Sequence, residues 1–229
     1  MPIFLDTGII QEIKRFHEMG VIRGVTTNPT ILLKEGVKGG LAGIKNRTVE
    51  IAQLIAPLPL SVEVTSNSPD EMLAQASEFS GWAPNVNVKI TIHGPQGETE
   101  NLNVIHELET KRDIRVNVTA MMSAQQCFLA ALAGASWVSI FGGRVNNMGY
   151  DACEEISRLR SLLDQFSLPA QIIVGSTREV LNITQWLGAG AHIVTATPAL
   201  VEGMIVHPYT KETVQMFLRD AEKLQEATN

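Results

Sequence analysis

Apolar residues recur in short runs separated by stretches where they return every three or four positions, the pattern of strands alternating with amphipathic helices. Residues 2–6 form a brief apolar run (Ile3, Phe4, Leu5) that stops at Asp6, and 9–19 continue as an amphipathic helix. The pair repeats. Residues 24–27 lead through Asn28 and Pro29 to a helical stretch at about 41–55, and 60–64 precede 70–79, for which Ser68 is the expected N-cap. Residues 85–93 precede 102–109, 114–119 precede 123–133, and 137–141 precede 150–166. Residues 170–174 then precede 177–187, and 192–195 precede 198–205. One more helix, 211–227, places Val214, Phe217, Leu218, Ala221 and Leu224 on one face. Eight strand-then-helix units without a linker or a break in composition predict an α/β fold. The specific expectation is a single (β/α)8 TIM barrel over residues 1–229 with an additional C-terminal helix. The competing architecture, an open doubly wound sheet, lacks its Gly-x-Gly-x-x-Gly turn here.

The run Asn-Val-Asn-Val-Lys-Ile-Thr-Ile-His at 85–93 alternates with period two, so Val86, Val88, Ile90 and Ile92 share one face and Asn87, Lys89 and Thr91 the other. Every other lysine falls in a segment read as helix or loop; Lys89 alone looks enclosed. Burial of an amine disfavours its charged form and frees the lone pair to attack a carbonyl. The plain structural alternative is a strand-end lysine whose head reaches solvent.

In a barrel of this type functional groups stand at the carboxyl ends of the strands. Those ends offer Asp6; Thr26, Thr27 and Asn28; Glu63; Lys89; Asn117 and Thr119; Ser139 and, beyond Phe141, Arg144; Ser176 and Arg178; and Thr195. Singly, Asp6 reads as a helix cap, Asn28 as a turn residue before proline, and Ser176 with Thr177 as an N-cap. Together so many polar groups fit a ligand site better than a core, where each unpaired one costs about 1–3 kcal/mol. Glu63 between Val62 and Val64 is the hardest to explain structurally.

Composition narrows the partners. A net charge of -6 and a pI near 5.4 argue against a nucleic-acid footprint. Cys127 and Cys153 match no metal or redox spacing, and the five histidines are scattered, so neither a metal nor a cofactor is expected. No signal-like start and no apolar run of membrane-crossing length are present, and a cytoplasmic location is expected.

The chemistry available is that of an amine adding to a ketone, a carboxylic acid assisting loss of water, and a carboxylate accepting the proton of a β-hydroxyl so that a carbon–carbon bond breaks. Lys89, Glu63 and Asp6 supply these parts, amides and hydroxyls can hold a polyol, and Gly142-Gly143-Arg144 with Gly175-Ser176 and Arg178 can hold an anion.

The motifs Phe4-Leu5-Asp6-Thr7, Gly24-Val25-Thr26-Thr27-Asn28-Pro29-Thr30, Ser61-Val62-Glu63-Val64, Val88-Lys89-Ile90, Asn117-Val118-Thr119, Ser139-Ile140-Phe141-Gly142-Gly143-Arg144 and Gly175-Ser176-Thr177-Arg178 resemble those of the transaldolase family. The likeness is to its short single-domain branch, which includes the fructose-6-phosphate aldolases, and it spans nearly the whole chain. It implies a Schiff base at Lys89, Asp6 as general acid/base, and Glu63 acting through water. It also implies sugar contacts from Asn28, Asn117 and Thr119 and phosphate contacts from Arg144, Ser176 and Arg178, with Thr27, Ser139 and Phe141 as further substrate-binding residues. The expected partners are small-molecule sugar phosphates and further copies of the chain in a ring-like homo-oligomer such as a decamer. Departures lie at the rim: Thr91 stands where the family carries proline, the loop 92–97 differs, and Met121 and Met122 follow the Asn-Val-Thr motif.

The leading expectation is a transferase moving a dihydroxyacetone unit from a ketose phosphate to an aldose phosphate. The alternatives are a lyase releasing free dihydroxyacetone, a transferase for a sulfonated ketose, and a non-catalytic sugar-phosphate binding barrel. Glu63 bears on the first, because the resemblance places Glu there in transaldolases and Gln in the fructose-6-phosphate aldolases.

Overall fold

The computed structural model describes residues 2–226. Among them eight parallel strands close into a barrel in chain order. The elements run β1 (Ile3–Asp6), α1 (Ile10–Glu18), β2 (Val25–Thr26), α2 (Pro29–Lys34), α3 (Gly40–Ile55), β3 (Leu60–Glu63) and α4 (Pro69–Ser80). They continue with β4 (Val86–Thr91), α5 (Asn101–Lys111), β5 (Val116–Met121), α6 (Ala124–Leu132), β6 (Trp137–Ile140), α7 (Gly142–Asn147) and α8 (Ala152–Gln165). Then follow β7 (Gln171–Val174), α9 (Val180–Gly188), β8 (Ile193–Ala196), α10 (Pro198–Ile205) and α11 (Pro208–Glu226). Each strand–helix pair read from the periodicity is present, and the predicted last residue of the final helix, 227, lies outside the described residues.

Alternation along the strands sorts the side chains into two sets. Leu5, Val25, Leu60, Val62, Val86, Val88, Ile90, Val116, Val118 and Val138 join the helices in one continuous apolar layer. The other faces carry a small plug (Phe4, Trp137, Ile173, Ile193) and, beside it, buried polar groups: Thr26, Ser61, Asn87, Lys89, Asn117, Thr119, Ser139 and Thr195. Strand register then sets neighbours. Asp6 pairs with Thr26, Glu63 with Lys89, and Lys89 with Asn117.

Two helices lie where loops were expected, and both stand at the carboxyl ends of strands. In α2, Asn28 Oδ1 accepts from the Ile31 N–H (2.9 Å) and Pro29 takes the first helical position, so the Asn-Pro pair starts a helix instead of ending a turn. In α7 the opening glycines are required by space. A Cβ on Gly143 would lie 1.8 Å from the Ser176 carbonyl oxygen, and one on Gly142 would lie 2.8 Å from both Trp186 and Val174. Two capping expectations are corrected. Ser68 precedes α4 but its side chain caps nothing; the approach is held instead by Ser66, which donates to Glu71 and accepts from the Ser68 N–H. Ser176 and Thr177 do not cap α9, whose N-cap is Glu179 in a reciprocal box with Asn182.

Candidate active site

The carboxyl ends of the strands open into a cavity of about 460 Å³. Lys89 is 5% exposed, and its ammonium lies 3.0 Å from Glu63 Oε2 and donates to the Thr27 carbonyl oxygen (3.2 Å). The expectation of an enclosed lysine therefore matches the structure, and the solvent-reaching alternative does not. Glu63 is the more open partner, its side chain 19% exposed on the cavity wall.

Asp6 enters from β1. Thr26 donates to Asp6 Oδ1 (2.7 Å), and since Thr26 has one hydroxyl hydrogen, Thr195 must be the donor in its 2.6 Å contact with Thr26. This chain leaves the second carboxylate oxygen for other work. Burial pushes the Asp6 carboxyl above its ordinary value of 3.8; Thr26 and Lys89 counter that rise, while the negative charges of Glu35 and Glu63 add to it. Asp6 is not the helix cap it also resembled, since the N-cap of α1 is Ile9.

Asn117 is oriented from both sides, donating to Ser61 Oγ (3.2 Å) and accepting from Ser139 Oγ (2.6 Å). Two hydroxyls on the cavity wall, Thr119 Oγ1 and Ser176 Oγ, are buried without a hydrogen-bond partner among the described residues. Buried hydroxyls in native proteins are normally paired, so both are available to hydrogen-bond with a polar group in the cavity. Ser176 and Ala120, both cavity residues, also hold left-handed backbone at φ +59° and +61°; β5 shifts register beside Ala120. Such strained positions concentrate at functional sites.

Arg144 and Arg178 reach the same cavity from α7 and from the loop before α9. The Arg144 guanidinium stands 5.3 Å from the Phe141 ring centre, and the Arg178 stem packs against Gly143. Neither guanidinium meets a carboxylate among the described residues, so both are open to an anion.

Of the site residues expected from sequence, the structure brings Asp6, Asn28, Glu63, Lys89, Asn117, Thr119, Ser139, Phe141, Arg144, Ser176 and Arg178 onto one cavity. Thr27 is the exception. Its hydroxyl donates to the Ser61 carbonyl (3.1 Å) and only its backbone oxygen meets Lys89, because strand alternation turns Thr26 inward and Thr27 away. Thr30, Ile31 and Lys34 of α2 were not anticipated. Their spacing puts them on one helix face, and the Asn-Pro N-cap was the signal that could have located that helix.

Among solved structures, the Thermotoga maritima dihydrodipicolinate synthase aligns with a TM-score of 0.64 at 11% identity, covering 87% of this chain and 70% of that one. A thiamine phosphate pyrophosphorylase from Pyrococcus furiosus aligns at 0.59 and 10%, covering 86% and 85%. These likenesses show the barrel alone. Sequence comparison goes further. A protein of Dehalococcoides mccartyi named "Probable transaldolase" is 38% identical over 98% of this chain and 100% of its own length. "Probable transaldolase 2" of Listeria monocytogenes is 39% identical over 97% and 96%. "Probable transaldolase 1" of Bacillus cereus is 36% identical over 99% and 100%. The family model described as Transaldolase/Fructose-6-phosphate aldolase matches residues 3–229. With the barrel, the cavity and these matches in place, the chain belongs to the transaldolase/fructose-6-phosphate aldolase family.

Proposed function

We propose that the chain is a Schiff-base transaldolase that moves a dihydroxyacetone unit from a ketose phosphate, such as fructose or sedoheptulose phosphate, to an aldose phosphate. The observation that carries the reading is the buried Lys89 amine 3.0 Å from the Glu63 carboxylate, in one cavity with Asp6, Arg144 and Arg178.

The steps balance with these groups. Lys89 gives a proton to Glu63 and adds to the ketose C2 carbonyl. Glu63 returns that proton to the carbinolamine hydroxyl, water leaves, and an iminium forms on Lys89. Asp6 then takes the C4 hydroxyl proton; the C3–C4 electrons move into a C2–C3 enamine, and the aldehyde departs. An acceptor aldehyde reverses the step, with Asp6 returning its proton, and water releases the new ketose. A raised carboxyl pKa suits a group that must accept an alcohol proton. Thr119 gives a donor for a sugar hydroxyl, and Ser176, Arg144 and Arg178 give donors for the terminal phosphate. Glu63, where the resemblance gives the aldolases Gln, supports transfer over release.

Incubation with fructose 6-phosphate and borohydride should add a three-carbon or six-carbon unit at Lys89, located by peptide mass spectrometry. Lys89→Met should abolish adduct and turnover together. A labelled lysine elsewhere, or full turnover in the variant, rejects the reading.

A further inference from the structure

We propose that Glu35 is a positioning residue for Asp6: it fastens the loop that follows Asp6 to the end of α2 and sets a second negative charge near that carboxylate. Glu35 is the C-cap residue of α2. Its Oε1 accepts from Thr7 Oγ1 (2.6 Å) and its Oε2 from the Gly8 N–H (2.8 Å), so one carboxylate holds the two residues directly after Asp6. The buried Thr7 hydroxyl in turn accepts from the Ile9 N–H (3.2 Å), and Arg47 of α3 donates to the Gly8 carbonyl (2.6 Å). A Cβ on Gly8 would lie 2.8 Å from Glu35 Oε2, so glycine is what allows the carboxylate to reach the backbone. The same residue thereby ties the cavity wall carrying Asn28, Thr30, Ile31 and Lys34 to the strand end carrying Asp6.

Two donors converge on Glu35 through two different oxygens. A carboxylate accepts both, whereas an amide must turn its NH2 towards one of them. A neutral isostere therefore loses a bond as well as a charge. The charged and titratable groups acting on Asp6 are Lys89 from β4, which stabilises its ionised form, and Glu63 from β3 and Glu35 itself, which oppose it; Thr26 of β2 is its hydrogen-bond donor. Glu35 has Lys34 beside it in sequence, and Arg47 of α3, bonded to the same Gly8 that Glu35 holds, lies 3.7 Å from Glu50. Glu35 makes no ion pair among the described residues, so its charge is available to keep Asp6 a stronger base.

The inference rests on the reading in which Asp6 takes the β-hydroxyl proton, and the experiment separates the two. Dihydroxyacetone has no C3–C4 bond and no β-hydroxyl for a retro-aldol cleavage, so borohydride trapping with it reads Lys89 chemistry alone; cleavage of fructose 6-phosphate reads Asp6 as well. For Glu35→Gln we expect the dihydroxyacetone adduct at the parent level and an unchanged KM. We expect kcat for cleavage to fall about ten-fold or more, in the range that a small misplacement of a catalytic group costs. The acidic limb of the kcat profile should move to lower pH, and Glu35→Asp, which keeps the charge, should restore the position of the limb. Thermal unfolding of each variant verifies the fold. A parent giving no adduct at Lys89 overturns the functional reading and this inference with it. A parent that gives the adduct, with Glu35→Gln matching it in cleavage rate and pH limb, overturns the role of Glu35 alone. That role is overturned as well if trapping and cleavage fall together with the limb unmoved, since that is the signature of a merely structural contact.

Discussion

Asp6 combines burial, one hydroxyl donor and two like charges, and its upward shift has a consequence for stability as well as chemistry. An acid with a higher pKa in the folded chain than in the unfolded one binds protons more tightly when folded. Its contribution favours folding as pH falls through the interval above 3.8, and above the folded value the buried charge opposes folding. Asp6→Asn should therefore raise the melting temperature at neutral pH, and the advantage should shrink as the pH is lowered. Cleavage of fructose 6-phosphate should drop by about 10²-fold or more while dihydroxyacetone trapping at Lys89 persists. Calorimetry across pH and a trapping assay check both halves; an Asp6→Asn protein less stable than the parent at neutral pH contradicts the sign. At this scale Lys89 and Glu63 were legible because a charged residue inside an apolar alternation is costly without a partner. Which of Thr26 and Thr27 turns towards the cavity was not legible, because a Thr-Thr pair does not state which member begins the inward register.

Helix α2 lines the cavity with Pro29, Thr30, Ile31 and Lys34 and α7 with Arg144, and both helices are six residues long. Helices so short show no usable periodicity, and α7 opens with two glycines, poor helix formers that the sequence reads as loop. Their positions come from contact with neighbours. Gly143 lies against the Ser176 carbonyl and the Arg178 stem, so α7 and the β7 end lock the two arginines into one region. If that region holds a phosphate, Arg178→Ala should raise KM for fructose 6-phosphate, lowering kcat/KM about ten-fold, the low end for a charge-assisted contact because the guanidinium is exposed. Unphosphorylated fructose should be a poor substrate of the parent and lose little further in the variant. Equal losses on both sugars in steady-state kinetics assign Arg178 to structure.

At the scale of the molecule the unexplained element is α11. No residue of it is buried, and Tyr209, Val214, Met216, Phe217 and Leu218 are exposed along its length. Such a face can cover its own barrel or a neighbouring chain, and with no residue of α11 buried the first option does not hold. An apolar helix face of this length in water calls for a partner surface. We propose a second copy of the chain, in line with the ring-like assembly that the family resemblance implies. Sedimentation velocity should show an oligomer for the full chain and a smaller species once residues 208–229 are removed. A full-length monomer unaffected by the truncation rules this out.

Local pattern alone determined the eight strand-then-helix units, the barrel, and the polar strand ends, because period-two and period-3.6 burial are written residue by residue. The motifs from Asp6 to Arg178 added the family. Only the tertiary structure decided which threonine faces the cavity, that Lys34 lines the site, that Ser176 sits in left-handed backbone against Gly143, and that Glu35 reaches Thr7 and Gly8. Each of these depends on contacts between segments far apart in the chain, 27 and 28 residues in the case of Glu35. Such contacts are fixed by the closure of the barrel and the register of its strands, which no single segment encodes.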